Sequence, residues 1–330
     1  MRSPVTASSG VAADTAARSP AAGCGVVATL VALLTVGTCL SAGAAAQEAS
    51  QPNGDLLSTT VGFSEQVFGK MDIRDIKAAT RTWAEIILRR ETGRSTQAES
   101  RVYSALPQME RDLVAKELDL VALLPQEYLQ LKGRVALEPI MLAEPPGGSH
   151  VEYVVLTRKE RGFTSLGQLR GARLAIEALG RGMVPWLWLE SALRRAGLPP
   201  SSAFFSGVRE EYKGSQAVLA VFFKTADACV TARHSFETMA ALNPQVGAQL
   251  APLIASPGFA HGLMALRPDI DEGLRGATYR GLANLHTHAT GRQVLTLFRA
   301  GRMIPFKPEQ LKSVEDLLRE SRHHEGQSNG

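Results

Sequence analysis

The chain has 330 residues, with 36 Lys and Arg against 32 Asp and Glu for a formal charge of +4, and 45% hydrophobic against 21% charged residues. This balance excludes wholesale disorder, a small stapled scaffold and a polyanion-coating tail, and the length suits two domains at roughly 150 residues each. Cys24 and Cys39 lie near the N-terminus, so the remainder holds Cys229 alone and has no partner for an internal disulfide.

The first 46 residues read as a Sec-type signal peptide. Arg2 and Arg18 precede an apolar run over 25–40, and the small residues that follow end on Ala44-Ala45-Ala46, which fits the A-x-A rule. Cleavage before Gln47 leaves 284 of the 330 residues. The alternative is an uncleaved anchor, since 26–46 just reaches the roughly 20 apolar residues that span a bilayer. Thr38 before Cys39 is a poor match to a lipidation site. The leader holds two Arg and one Asp, so the mature balance is +3, too weak a basic excess for a nucleic-acid binder. An exported, periplasmic protein is expected, meeting the membrane only through a partner or an uncleaved leader.

Residues 47–58 read as a polar tether. A strand over 57–63 precedes a helix over 73–90 that Gly93 stops, then a short strand over 100–103, a helix over 107–116, a strand over 118–124, a helical turn at Pro125 and a strand over 135–143. Glu144-Pro145-Pro146-Gly147-Gly148-Ser149 punctuates the chain as a crossing between lobes. A second series follows: strands over 153–157 and 172–176, a helix over 184–196 ended by Gly197, a strand over 203–208, a helix over 215–223, a strand over 226–230 and a helix over 235–242. The prolines and glycine in 251–259 mark a second crossing. A strand over 262–266 and helices near 271–285, 291–300 and 308–320 close the chain, before a polar tail at 323–330. Strands alternating with helices imply parallel sheets, and two crossings imply two lobes, 59–146 plus 256–322 and 147–255, with a cleft between them.

Several ordered patterns carry a resemblance: Val121 to Tyr128 (VALLPQEY), Phe163 to Arg173 (FTSLGQLRGAR), the helix from Val184 to Leu198, the run from Lys213-Gly214-Ser215 to Ala226-Asp227-Ala228, and Phe306 to Leu318. Together they resemble the phosphate/phosphite/phosphonate-binding group of periplasmic substrate-binding proteins of ABC transporters. The resemblance implies a type II periplasmic-binding-protein fold, α/β and two-lobed, each lobe a doubly wound, mostly parallel sheet, with two hinge crossings. It also implies a monomeric solute-binding protein, not an enzyme, that closes over a small oxyanion and delivers it to an ABC permease. The alternative is a sensor of the same fold that presents its ligand state to a membrane receptor such as a histidine kinase. No cofactor or metal is expected.

Ligands of an open parallel sheet lie beyond the carboxyl ends of its strands. That filter selects Ser64, Glu65, Tyr103, Ser104, Gln126, Tyr128, Glu177, Gly180, Arg181, Gly182, Tyr212, Gly214 and Ser215. The tyrosines offer rings and hydroxyls or serve as packing residues. Gly214-Ser215 opens a helix with amides suited to an anion, or is an ordinary cap. The stretch 177–182 lacks the hydroxyls that the resembled family uses there; Arg181 supplies a charged fork in their place or is a solvated turn residue. Glu177 suits an amine, as in an aminoalkylphosphonate. Trp186 and Trp188 read as core packing, Cys229 as a buried thiol, and His286 and His288 as too widely splayed on a helix for a metal pair.

Overall fold

Along the strand at 120–123, Leu120 and Ala122 face one hydrophobic cluster while Val121 and Leu123 face another, and all four are buried. A strand covered on both sides needs helices on both sides, and the chain supplies them. The computed structural model describes residues 56–68, 72–148, 150–178 and 183–328, without the side chains of 323–328. The expected leader therefore lies outside the described residues. No helix among the described residues is long and apolar enough to cross a membrane.

The chain first lays down β1 (Leu57–Ser64), α1 (Ile73–Thr92), β2 (Thr96–Tyr103), α2 (Leu106–Val114), β3 (Leu120–Leu123), α3 (Pro125–Leu131) and β4 (Glu138–Glu144). It crosses to β5 (Val151–Arg158), β6 (Arg173–Glu177), α4 (Val184–Arg195), α5 (Ser201–Phe204), β7 (Gly207–Glu211), α6 (Gly214–Phe222), β8 (Ala228–Ala232), α7 (Arg233–Leu242), α8 (Pro244–Gln249) and β9 (Leu250–Phe259). It then returns through β10 (Gly262–Leu266), α9 (Glu272–Ala283), α10 (Ala289–Leu297), β11 (Arg302–Pro305) and α11 (Lys312–Ser328). The first sheet has the order β11-β4-β10-β3-β1-β2 and the second β7-β6-β8-β5-β9. β1 pairs in parallel with β2 and β3, and β6 with β7 and β8, whereas β10, β11 and β5 run against their neighbours. This is the expected two-lobed α/β fold.

One face of the first sheet packs against Ile76, Trp83 and Ile87 of α1, and the other against Met109, Leu113, Tyr128 and Leu131 of α2 and α3. In the second lobe, Val155, Ile176 and Val230 meet Trp188, Leu189 and Leu193 of α4, while Val154, Ala175 and Cys229 meet Ala217, Val218 and Val221 of α6. Trp186 and Trp188 are core residues, and burial pushes the Cys229 thiol up, away from the reactive thiolate. The two passages between the sheets lie side by side, because β5 and β9 pair antiparallel with Val151 opposite Phe259.

Five expectations change. The sheets are mixed and not mostly parallel: two of five strand pairings in the first and two of four in the second are parallel, because β10, β11 and β5 run against their neighbours. Residues 251–259 form β9 and not a crossing; β9 is an edge strand, where Pro252 and Pro257 are tolerated, and the return follows Phe259. Residues 203–208 do not form one strand, because Pro200 starts the short helix α5, which buries Phe204 before β7 begins at Gly207. The 256–322 segment is not wholly in the first lobe: β9 belongs to the second sheet, and Val314 and Leu317 of α11 pack into the second lobe's core. His288 does not sit inside a helix; it caps α10, its Nδ1 accepting from the Gly291 amide at 3.0 Å.

Gly281 of α9 lies where α1 crosses, and a Cβ there would overlap the branched side chain of Ile87. Gly281→Ala is expected to lower stability by about 1–3 kcal/mol, as overpacking does. Urea unfolding measures this, and a variant as stable as the parent would contradict the close crossing.

Candidate functional site

The carboxyl ends of β1, β3, β6, β7 and β8 point into one cleft between the lobes. Its volume is about 350 Å3 and its lining includes Gln66, Gln126, Glu177, Tyr212, Ala232, Arg233 and His234 from those strand ends. Strands that run the opposite way contribute their amino ends: Glu152 and Tyr153 open β5, Ala260 and His261 precede β10, and Arg299 precedes β11.

The first-lobe wall is fixed by a buried carboxylate. Glu127 accepts from the Ser64 hydroxyl at 2.6 Å and from the Leu124 amide at 2.8 Å, tying the end of β1 to the start of α3. Burial pushes its carboxyl up, and the two hydrogen bonds oppose that shift. Ser64, Tyr103, Ser104 and Glu127 line a side cavity of about 110 Å3 that shares Gln66 and Gln126 with the cleft.

The second-lobe wall carries the charge. Arg233 donates through Nε and Nη2 to Glu152 at 2.7 and 2.8 Å, a bidentate pair that holds the Glu152 carboxyl below its ordinary range. Glu177 accepts on one oxygen from the Thr231 hydroxyl at 2.7 Å and the Ala232 amide at 2.9 Å. Gly214 lies against it so closely that a Cβ would overlap both Glu177 and Ser235. Burial and the Glu177 charge push the Tyr153 phenol up, which keeps it a protonated donor. Across the cleft, Tyr212 donates to the Phe68 carbonyl at 3.3 Å, and the Arg299 guanidinium lies 5.2 Å above its ring.

Of the residues selected from sequence, Gln126, Glu177 and Tyr212 line the cleft. Gly214 is buried behind Glu177, and Ser215 follows it at the start of α6 without lining the cavity. Ser64, Tyr103 and Ser104 belong to the side cavity, where the Tyr103 hydroxyl donates to Asp112 at 2.5 Å. Glu65 lines neither cavity, and Tyr128 is packed in the first-lobe core. Gly180, Arg181 and Gly182 lie outside the described residues. Selection by carboxyl ends passed over Arg299, His261 and Tyr153 because their strands run backward. Arg233 and His234 do follow β8, and their position directly after that strand was the available signal. Glu127 was legible as a carboxylate three residues into a helix begun by Pro125.

A family model described as ABC transporter, phosphonate, periplasmic substrate-binding protein matches residues 72–311. No curated protein matches the chain in sequence. Solved structures are similar in fold. XAC2383 from Xanthomonas citri bound to ATP is 14% identical over 79% of this chain and 95% of that one, with a TM-score of 0.58. PhnD1 from Prochlorococcus marinus, solved with methylphosphonate, is 17% identical over 80% and 98%, with a TM-score of 0.55. A binding-protein component of an ABC phosphonate transporter from Pseudomonas aeruginosa is 13% identical over 80% and 86%, with a TM-score of 0.54.

His261 donates through Nε2 to the Phe298 carbonyl at 3.2 Å, and burial, aided by the nearby Arg299 charge, pushes the ring below its ordinary titration range. An unfolded histidine, with a pKa of about 6.5, therefore takes up its proton first, and this contribution to stability is lost as pH falls below that value. His261→Gln is expected to flatten the resulting fall in thermal stability. An identical slope in the variant would contradict a neutral His261.

Proposed function

The chain belongs to the phosphonate family of periplasmic substrate-binding proteins of ABC transporters, and from that premise we propose that it closes its two lobes over a small oxyanion, of the phosphonate class and carrying an amine, for delivery to a membrane permease. The family is one of solute carriers rather than catalysts, and export by the leader at residues 1–46 completes this reading.

The observation that carries the proposal is the charge layout of the cleft. Two arginines, Arg233 and Arg299, line the cleft together with Glu237, with Glu152, which pairs with Arg233, and with the carboxylate of Glu177, which Thr231 and Ala232 hold in place. A bare phosphate meets that carboxylate as a like charge, whereas a zwitterion offers an ammonium to Glu177 and an oxyanion to a guanidinium. The volume falls in the lower part of the range for small-molecule sites, about 300–1,000 Å3, and leaves room for an organic substituent. A ligand that touches both walls stabilises the closed arrangement by its differential affinity for it.

Titration calorimetry with phosphate, phosphite, methylphosphonate, 2-aminoethylphosphonate and sulfate tests the reading. The aminated phosphonate is expected to bind most tightly, and Glu177→Gln to erase most of its advantage over methylphosphonate. No heat from any of the five would overturn the proposal; an advantage that survives Glu177→Gln would remove the amine from it.

A further inference from the structure

We propose that Arg299 is the cation that grips the oxyanion, held edge-on to the cleft by the ring of Tyr212; the inference rests on the reading of the cleft as an oxyanion site. Arg233 and Arg299 are the arginines that line the cavity among the described residues, and no lysine does. They are not equivalent. Arg233 has already spent its fork on both oxygens of Glu152. Arg299 has no carboxylate partner among the described residues and is exposed at the cleft, with its guanidinium 5.2 Å over the Tyr212 ring. In the proposed grip the guanidinium turns its face to that ring. Its N–H groups lie in the guanidinium plane, which leaves the edge available with the spacing that donates to two oxygens of a phosphonate or phosphate.

The presentation is anchored from both lobes. Tyr212 follows β7 in the second lobe and donates to the carbonyl of Phe68 in the first. On the first-lobe side, Phe298 packs 5.2 Å from Phe68 and its carbonyl accepts from His261, so the backbone beside Arg299 is held. An anion caught on the Arg299 edge would then sit where the Tyr212 contact joins the lobes, which couples recognition to closure.

Calorimetry with methylphosphonate and inorganic phosphate on the whole mature chain tests this. Arg299→Gln is expected to weaken the binding of both about 10- to 100-fold, the loss that follows removal of a charge-assisted pair. Arg299→Lys should recover only part of the loss, since an ammonium keeps the charge and lacks the fork. Tyr212→Leu, which removes the stack and the hydrogen bond to Phe68 but no charge, should weaken binding less than Arg299→Gln does. Ligand-free unfolding temperatures close to the parent's would show that these variants fold. Full affinity in folded Arg299→Gln would overturn the assignment of Arg299 and leave the oxyanion reading standing. No binding of any oxyanion by the parent protein would overturn both.

Discussion

The two passages of the chain between its sheets are held together by one strand pair. β5 opens the second sheet and β9 closes it, and their antiparallel register puts Val151 opposite Phe259, so departure and return share one edge. Two connections that lie side by side restrain the lobes to a common line, and α11, which meets α3 of the first lobe through Lys132–Glu315 and α4 of the second through Ser191–Glu320, adds a further bridge between them. Everything in the cleft depends on this constraint. The strand ends of the first sheet meet those of the second only because the chain returns where it left.

The carboxyl ends of five strands, three of them in the second lobe, converge on one space and bring loops with them. On the first-lobe side a buried carboxylate, Glu127, joins two of those loops and fixes the wall. On the second-lobe side the charges are divided: Arg233 is paired with Glu152, and Glu177 is held by a hydroxyl and an amide. Of the two arginines that line the cleft among the described residues, Arg299, over the Tyr212 ring from the opposite lobe, is the one without a carboxylate partner. Opposed charges suit a zwitterion better than a strongly basic pocket would.

Much of the fold was legible in the sequence because local signals agreed with one another. Helical spacing from Ile73 and the stop at Gly93 gave α1 nearly to the residue, and the cluster of prolines and glycines after Glu144 marked the first passage. Legibility failed where tertiary context decides. Pro252 and Pro257 read as chain breaks, yet an edge strand has one side free of hydrogen bonds and tolerates them. The site was half legible for a related reason. Residues after parallel strands, such as Glu177 and Tyr212, could be selected by rule, whereas His261 and Arg299 precede strands whose direction appears only once the sheet is assembled. Tyr128 shows the converse: it follows a strand end, but α3 turns it into the core.

The central claim is that one solute is held from both lobes at once. A crystal structure of residues 47–330 with 2-aminoethylphosphonate tests it most directly. The account predicts density for the ligand between the lobes, with phosphonate oxygens on the edge of Arg299 and the ammonium within hydrogen-bond reach of Glu177. A ligand bound to one lobe alone, or outside the cleft, would contradict it.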